Sequence, residues 1–295
     1  LKPQFLPTSV VNPIQMNLVF IDLYARATAA CDGDFDKLFV PFRCIASDVY
    51  NKKQLILKRG DLGDAVRASM SFPFMFKPIE IDSMLAYDGG IYNNFPTDVM
   101  REDFHPDIII GSVVSTNPGK PKENDLMSQI ENMVMQKTDY SLPDSAGILM
   151  TFKYNDVSLM DFQRIDELEK IGYDRTMSLM DSIKSRMVNV DNIRLRRLVY
   201  KSNYPELRFK NIYIDGANTH QQVYIKKEFH TSDDKEFTYE DLKRGYFRLL
   251  SDNMISEIIP HAVFNPEDDT YDLHLKIKME NEFSVRVGGN VSTTS

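Results

Sequence analysis

The sequence has no tryptophan, only two cysteines and no run of eighteen apolar residues. Each absence excludes something. Cys31 and Cys44 cannot form a disulfide framework between them. Cys44 lies inside the apolar run Phe42-Arg43-Cys44-Ile45-Ala46 and reads as a small core residue. Without a long apolar stretch there is no transmembrane helix to expect, and the residues after Leu1 show no signal-peptide pattern. Basic charge is also short. Thirty-five Lys and Arg stand against 43 Asp and Glu, for a net charge of −8. A nucleic-acid partner would require a basic footprint, so none is expected. The densest basic cluster is Arg194-Leu195-Arg196-Arg197 with Lys201. It reads as the solvated face of a helix, with contact to anionic lipid head groups as its other reading.

Several motifs are incomplete or missing. No G-x-G-x-x-G or G-x-x-x-x-G-K-[ST] occurs, so there is no phosphate-cradling loop. Asp32-Gly33-Asp34-Phe35-Asp36 starts like a calcium loop, but Lys37 stands where glycine is needed and Arg43 where glutamate is needed. His105, His220, His230, His261 and His274 lack zinc-ligand spacing. Neither a metal nor a cofactor is expected.

What is present is a globular composition, 42% apolar and 26% charged, over 295 residues. That length fits about two domains. Asn12-Pro13 before Ile14, Met16, Leu18, Val19 and Ile21 reads as a helix start with Pro at its first position. β-forming residues over 38–49 suggest a buried strand, with a return over 54–58. Asp61 can cap a short helix, and 84–87 is a short strand stopped by Asp88-Gly89-Gly90. The apolar run Ile108-Ile109-Ile110 predicts a parallel strand buried on both faces. A helix is expected over 126–135, a strand over 148–154 and a long helical stretch over 161–188. Strand and helix alternate to residue 190, which argues for α/β layers.

After Tyr204-Pro205 the pattern changes. A strand through Phe209, Ile212 and Ile214 leads to helices over 220–229 and 239–251. Thr238 and Asp241 stand at capping-box spacing. Strands over 257–264 and 271–279 follow, joined by Asn265-Pro266-Glu267-Asp268-Asp269. In the second, Tyr271, Leu273, Leu275 and Ile277 share one face. The order β-α-α-β-β makes a small α+β domain, with 15 acidic and 10 basic residues over 207–282.

Asp88-Gly89-Gly90 taken alone is a turn signal. Its surroundings give it more content. Ala68, Ser69, Pro73, Phe76 and Pro78 spell A-S-x-x-x-P-x-x-F-x-P upstream, and Asp88, Gly89, Gly90, Asn94 and Pro96 spell D-G-G-x-x-x-N-x-P. Ala46-Ser47-Asp48 and Gly60-Asp61-Leu62 precede them in order. This block resembles the patatin-like phospholipases, over roughly residues 1–200. The resemblance implies a three-layer α/β fold and a Ser–Asp dyad acting on phospholipid or other lipid acyl esters. Asp88 would be the catalytic base, with Gly89, Gly90, Asn94 and Pro96 supporting it. The family's nucleophile sits in G-x-S-x-G, beside a glycine-rich oxyanion loop. Neither occurs here, and Ser69 and Ser71 lack the flanking glycines. The resemblance therefore implies a fragment, 1–203, of such a domain with its N-terminal part missing, inactive by itself.

The second region, 207–282, resembles a POTRA domain through Ile212-Tyr213-Ile214-Asp215-Gly216, the helix start at Phe237-Thr238-Tyr239-Glu240-Asp241-Leu242, the helix end at Tyr246-Phe247-Arg248-Leu249-Leu250 and the closing hairpin. Phe283-Ser284-Val285-Arg286-Val287 would open the first strand of an outer-membrane barrel over 283–295. The two resemblances together imply soluble domains, periplasmic or surface-exposed, at a bacterial outer membrane, with a β-augmentation partner at the POTRA-like domain. The alternative they leave is a non-catalytic assembly or secretion module on a degenerate patatin scaffold.

Overall fold

The computed structural model describes residues 9, 11, 13–121, 123–154, 157, 161–187, 192–229 and 236–279. The barrel strand expected over 283–295 lies outside the described residues, as do Asn12, Val188 and His230. The chain packs as two compact units. One contains Pro41–Lys58 and Asp64–Lys201; the other contains Val11–Val40, Arg59–Gly63 and the chain from Ser202 onward. The second unit thus takes more than the linear division near 203–207 supplies.

Helix α1 (Ile14–Ala30) starts one residue later than expected, because Pro13 occupies the N-cap position at φ −77°. The chain continues through β1 (Cys44–Asp48), β2 (Lys53–Leu57), α2 (Leu62–Ser69), β3 (Ile79–Ile81) and β4 (Met84–Asp88). Then come α3 (Thr97–Phe104), β5 (Ile109–Val113), α4 (Leu126–Val134), β6 (Gly147–Thr151), α5 (Ile165–Ser178), α6 (Met180–Arg186) and α7 (Ile193–Ser202). The later part holds β7 (Arg208–Asp215), α8 (Thr219–Lys227), β8 (Phe237–Thr238), α9 (Tyr239–Leu250), β9 (Ile255–Asn265) and β10 (Thr270–Met279).

In the first unit an antiparallel sheet runs β2-β1-β4-β3. Strand β1 is central among these and all five of its residues are buried. Ala46, Ala68 and Ala86 are fully buried in one cluster. With only methyl groups between them, α2 can lie close on β1 and β4. The parallel ladder is confined to β5 and β6, from Ile109–Gly147 to Val113–Thr151. The expectation of a strand buried on both faces is corrected here. Ile109 and Val113 point inward, whereas Ile110 is 45% exposed, because one face of this ladder meets solvent. The single helix expected over 161–188 is also divided. A 3-10 turn at Phe162–Arg164 precedes α5, and Leu179 (φ −102°, ψ 2°) separates α5 from α6.

The second unit has the expected strand–helix–helix–strand–strand order, plus the two-residue edge strand β8. Its sheet runs β8-β7-β10-β9, with β10 parallel to β7 and antiparallel to β9. The alternation in β10 buries Tyr271, Leu273, Leu275 and Ile277 on one face. Phe209 faces Tyr271 and Ile212 faces Leu273, so Lys210 and Asn211 together oppose Asp272 in a bulge. Pro260, which lacks an amide hydrogen, is accommodated because β9 is an edge strand. Both helices are capped reciprocally, by Asn218 with Gln221 and by Thr238 with Asp241. In the second box aspartate fills the place that glutamate or glutamine usually takes.

Helix α1 supplies what sequence order could not show. Leu18, Ile21 and Ala25 enter the same core as Phe209, Tyr246, Leu249 and Leu273. The Tyr239 hydroxyl donates to Leu18 O at 3.1 Å, and the Tyr246 hydroxyl lies 3.2 Å from both Ile14 O and Ile258 O. Burial pushes the Tyr246 phenol up to about 12, so it remains a neutral donor at physiological pH. No helix among the described residues is long and apolar enough to cross a membrane.

Gly245 marks where helix propensity and packing disagree. A Cβ there would lie 2.5 Å from Phe229 Cδ1 and 2.7 Å from Glu228 O. Alanine should gain about 1 kcal/mol of helix propensity, while overpacking typically costs about 1–3 kcal/mol. The backbone oxygen cannot move aside as a side chain could. Gly245→Ala is therefore expected to destabilise the protein by up to about 2 kcal/mol, read from urea-denaturation midpoints.

Candidate functional site

The D-G-G-x-x-x-N-x-P segment forms the exit of β4. Asp88 ends that strand, opposite Ala46 of β1. It also caps the 3-10 turn Gly89–Ile91, its Oδ1 accepting the Gly90 amide at 2.7 Å. The Asp88 amide donates to Ser71 O at 3.0 Å. This joins the two sequence blocks directly, since Ser71 lies within the A-S-x-x-x-P stretch.

The two glycines are required for space. Neither has a positive φ, so the left-handed freedom of glycine is not what is used here. A Cβ on Gly89 would sit 2.2 Å from Ile45 O, a backbone atom of β1. A Cβ on Gly90 would sit 2.7 Å from Asn94 Oδ1 and 3.0 Å from Asp88 Oδ1. The two glycines permit the loop to lie against β1 and against its own carboxylate.

Asn94 and Pro96 hold the loop from the other side. The Asn94 side-chain amide donates to Tyr140 Oη at 2.8 Å, and the Gln136 amide donates to Ile91 O at 2.8 Å. Pro96 caps α3, and Met100 N donates back to its carbonyl at 3.1 Å. Asn93 reaches Gln54 Oε1 and Asp98 Oδ1, at 2.8 and 2.9 Å. A polar cleft of about 440 Å³ opens beside this loop, with Asn93, Phe95, Asp98, Arg101 and Lys137 in its walls.

Asp88 is half-buried by surface area, yet enclosed closely enough that desolvation raises its carboxyl above the usual range. The Gly90 amide partly opposes that rise. Among the described residues, Oδ2 has no hydrogen-bond partner. A desolvated carboxylate with one oxygen anchored and the other open is a stronger base than one in water.

The serines nearby are already committed. Ser71 is fully buried and its hydroxyl donates to Arg67 O at 2.7 Å. Ser69 lies against the Cys44 thiol, which donates to Ala65 O at 3.2 Å. Burial pushes that thiol up, and the Asp88 charge adds to the rise. Asp48, of the A-S-D element, builds a turn: its carboxylate accepts the Asn51 amide at 3.0 Å and the Asn51 side chain at 2.5 Å. The Asn51 contacts hold it below the usual carboxylate range. His105 ends α3 in the left-handed region (φ 46°) with Nδ1 2.6 Å from Arg101 O. Among the described residues, no group of three or more His, Cys, Asp or Glu is placed to hold a metal ion. Sequence reasoning missed Tyr140, Gln54 and the proximity of Cys44. None carries a motif, and only the fold brings them to the loop.

Residues 21–101 match the family model of the patatin-like phospholipases. That span runs from within α1 into α3 and includes Asp88, Gly89, Gly90, Asn94 and Pro96. An uncharacterized NTE family protein of Mycobacterium tuberculosis is 37% identical over 68 residues, 23% of this chain and 12% of that protein. A second from the same organism is 36% identical over 61 residues, 21% of this chain and 17% of that protein. A patatin-like phospholipase domain-containing protein of Caenorhabditis elegans is 26% identical over 174 residues, 57% of this chain and 10% of that protein. The chain thus spans 10% to 17% of the length of these relatives.

The raised carboxyl of Asp88 has a thermodynamic consequence. A carboxyl raised on folding contributes stability below its unfolded pKa and loses it as pH rises through the folded value. Asparagine keeps the Oδ1 acceptor for the Gly90 amide and carries no charge to desolvate. Asp88→Asn should therefore melt above the wild type at about pH 7, with the difference vanishing near about pH 3. Thermal melts at the two pH values check this.

Proposed function

We propose that this chain is part of a lipid acyl hydrolase in which Asp88 is the general base of a Ser–Asp dyad. The nucleophilic serine and the oxyanion donors would lie on a G-x-S-x-G segment and a glycine-rich loop outside these 295 residues. The observation that carries the reading is the Asp88 carboxylate itself: desolvated, anchored through Oδ1 and, among the described residues, without a hydrogen-bond partner at Oδ2. Asp88 would take the serine hydroxyl proton as the oxygen attacks the ester carbonyl. It would return that proton to the departing alcohol, and water would then release the acyl group by the same route. The match over 21–101 and the names of the relatives support a lipid ester as substrate.

The second unit supports a POTRA-like reading through its order β7-α8-β8-α9-β9-β10 and its mixed sheet. In this proposal it positions the hydrolase at an outer membrane, where a barrel beginning at 283–295 would hold it. Strand addition at the edge of its sheet would recruit a partner.

A second reading is a non-catalytic module on a patatin-like scaffold, and it would require that no G-x-S-x-G occur elsewhere in the protein that contains this chain. One experiment separates the two. In the protein that contains this chain, Asp88→Asn should lower hydrolysis of a soluble fatty-acyl ester by about 10²–10⁴-fold while the thermal melt remains cooperative. No turnover and no serine labelling by a fluorophosphonate in the wild type would favour the non-catalytic module. Full activity in the Asp88→Asn variant would remove Asp88 from the reaction.

A further inference from the structure

Helix α7 reads Ile193-Arg194-Leu195-Arg196-Arg197-Leu198-Val199-Tyr200-Lys201-Ser202 and contains four cations and no acid, in a chain whose net charge is −8. At about 100° per residue, Leu195, Leu198 and Val199 share one face, with Arg194 and Arg196 on its two flanks. That apolar face is open: Leu195 is 60% exposed, Leu198 67% and Val199 57%. No residue of the helix is buried. Scattered exposed leucines need no explanation. A continuous stripe at helical spacing, edged by guanidinium groups, is the arrangement of a helix that lies in a lipid–water interface.

We propose that α7 docks the protein on an anionic lipid surface, its Leu195–Leu198–Val199 stripe among the acyl chains and its arginines at the phosphates. The charge decides among occupants. A polyanion such as nucleic acid would use the cations and leave the leucines in water. An apolar groove on a protein would use the leucines and give no counter-charge to Arg194 and Lys201. An anionic bilayer answers both, because long cationic side chains can carry their heads to the phosphates while their stems lie against acyl chains. The proposal does not require the hydrolase reading, since it concerns binding and not turnover.

The absence of tryptophan provides the test. Leu198→Trp places a single indole on the stripe, and Leu126→Trp places one on α4 at another exposed leucine, 70% exposed. The full chain is mixed with phosphatidylcholine vesicles, with and without phosphatidylglycerol, at low and high salt. The Leu198→Trp emission should shift to the blue with phosphatidylglycerol vesicles only, and high salt should reverse the shift. The Leu126→Trp emission should stay unchanged. Replacing Arg194, Arg196 and Arg197 by Gln in the Leu198→Trp chain should weaken partitioning by about five-fold per cation removed. Circular dichroism of each variant confirms the fold, and co-sedimentation of the unsubstituted chain gives the same comparison without any substitution. The proposal is overturned by no shift and no co-sedimentation, by equal shifts at both sites, by binding indifferent to lipid charge, or by a concentration-dependent shift without vesicles, which would identify a second copy of the chain as the occupant.

Discussion

The site rests on a single close approach of two backbones. Gly89 presses against Ile45 O of β1 where any Cβ would stand at 2.2 Å. That approach lets the exit of β4 fold directly over its neighbouring strand, and it fixes where the chain turns after Asp88. Three further features follow from it. The Gly90 amide points at Asp88 Oδ1, the 3-10 turn delivers Ile91 O to the Gln136 amide, and Asn94 reaches Tyr140. A side chain at Gly89 would have to move β1, whose five residues are all buried, and with it the alanine cluster under α2. The glycine therefore acts on the carboxylate through packing, with no need for an unusual φ.

The second unit is organised by a different constraint. Its strands and helices come from one stretch of chain, but its core includes Leu18, Ile21 and Ala25 from a helix about 200 residues earlier. Two tyrosine hydroxyls tie that helix in place through its carbonyls, at Leu18 and Ile14. Both phenols are raised to about 12, Tyr239 and Tyr246 alike, chiefly by burial. Neutral donors suit this position, because an ionised phenolate would face carbonyl oxygens with no proton to give.

Legibility from sequence followed the range of the interactions. The Thr238–Asp241 capping box, the hairpin at 265–269 and the alternation of β10 depend on neighbours a few residues apart, and all three were readable. The same holds for the composition of the D-G-G loop, whose glycines and proline carry their own backbone consequences. What depends on distant partners was not readable. The exposure of Ile110 depends on which layers cover β5, and three consecutive isoleucines cannot state that. The break at Leu179 (φ −102°, ψ 2°) interrupts a periodicity that looks continuous in the sequence. Tyr140 has no motif; its role as a partner of Asn94 exists only because the segment after α4 returns to the loop.

The candidate base shows why such a site is costly to keep. Stability alone would favour a neutral residue at position 88, since the Gly90 amide needs only an oxygen acceptor and desolvation opposes the charge. An aspartate there gives up some folding free energy at neutral pH for a group able to take a proton. Glu131 of α4 is also raised by desolvation, but two structural carboxylates in the same unit are arranged the other way. Asp48 is held below the ordinary range by the Asn51 side chain and amide, and Asp98 is lowered by its contacts with Asn93 despite opposing burial. Two carboxylates are thus tuned toward permanent charge by added donors, while Asp88 receives one donor and is otherwise desolvated. That contrast, together with the anchoring of Oδ1 on the D-G-G loop, is the physical support for the proposed proton-transfer role of Asp88.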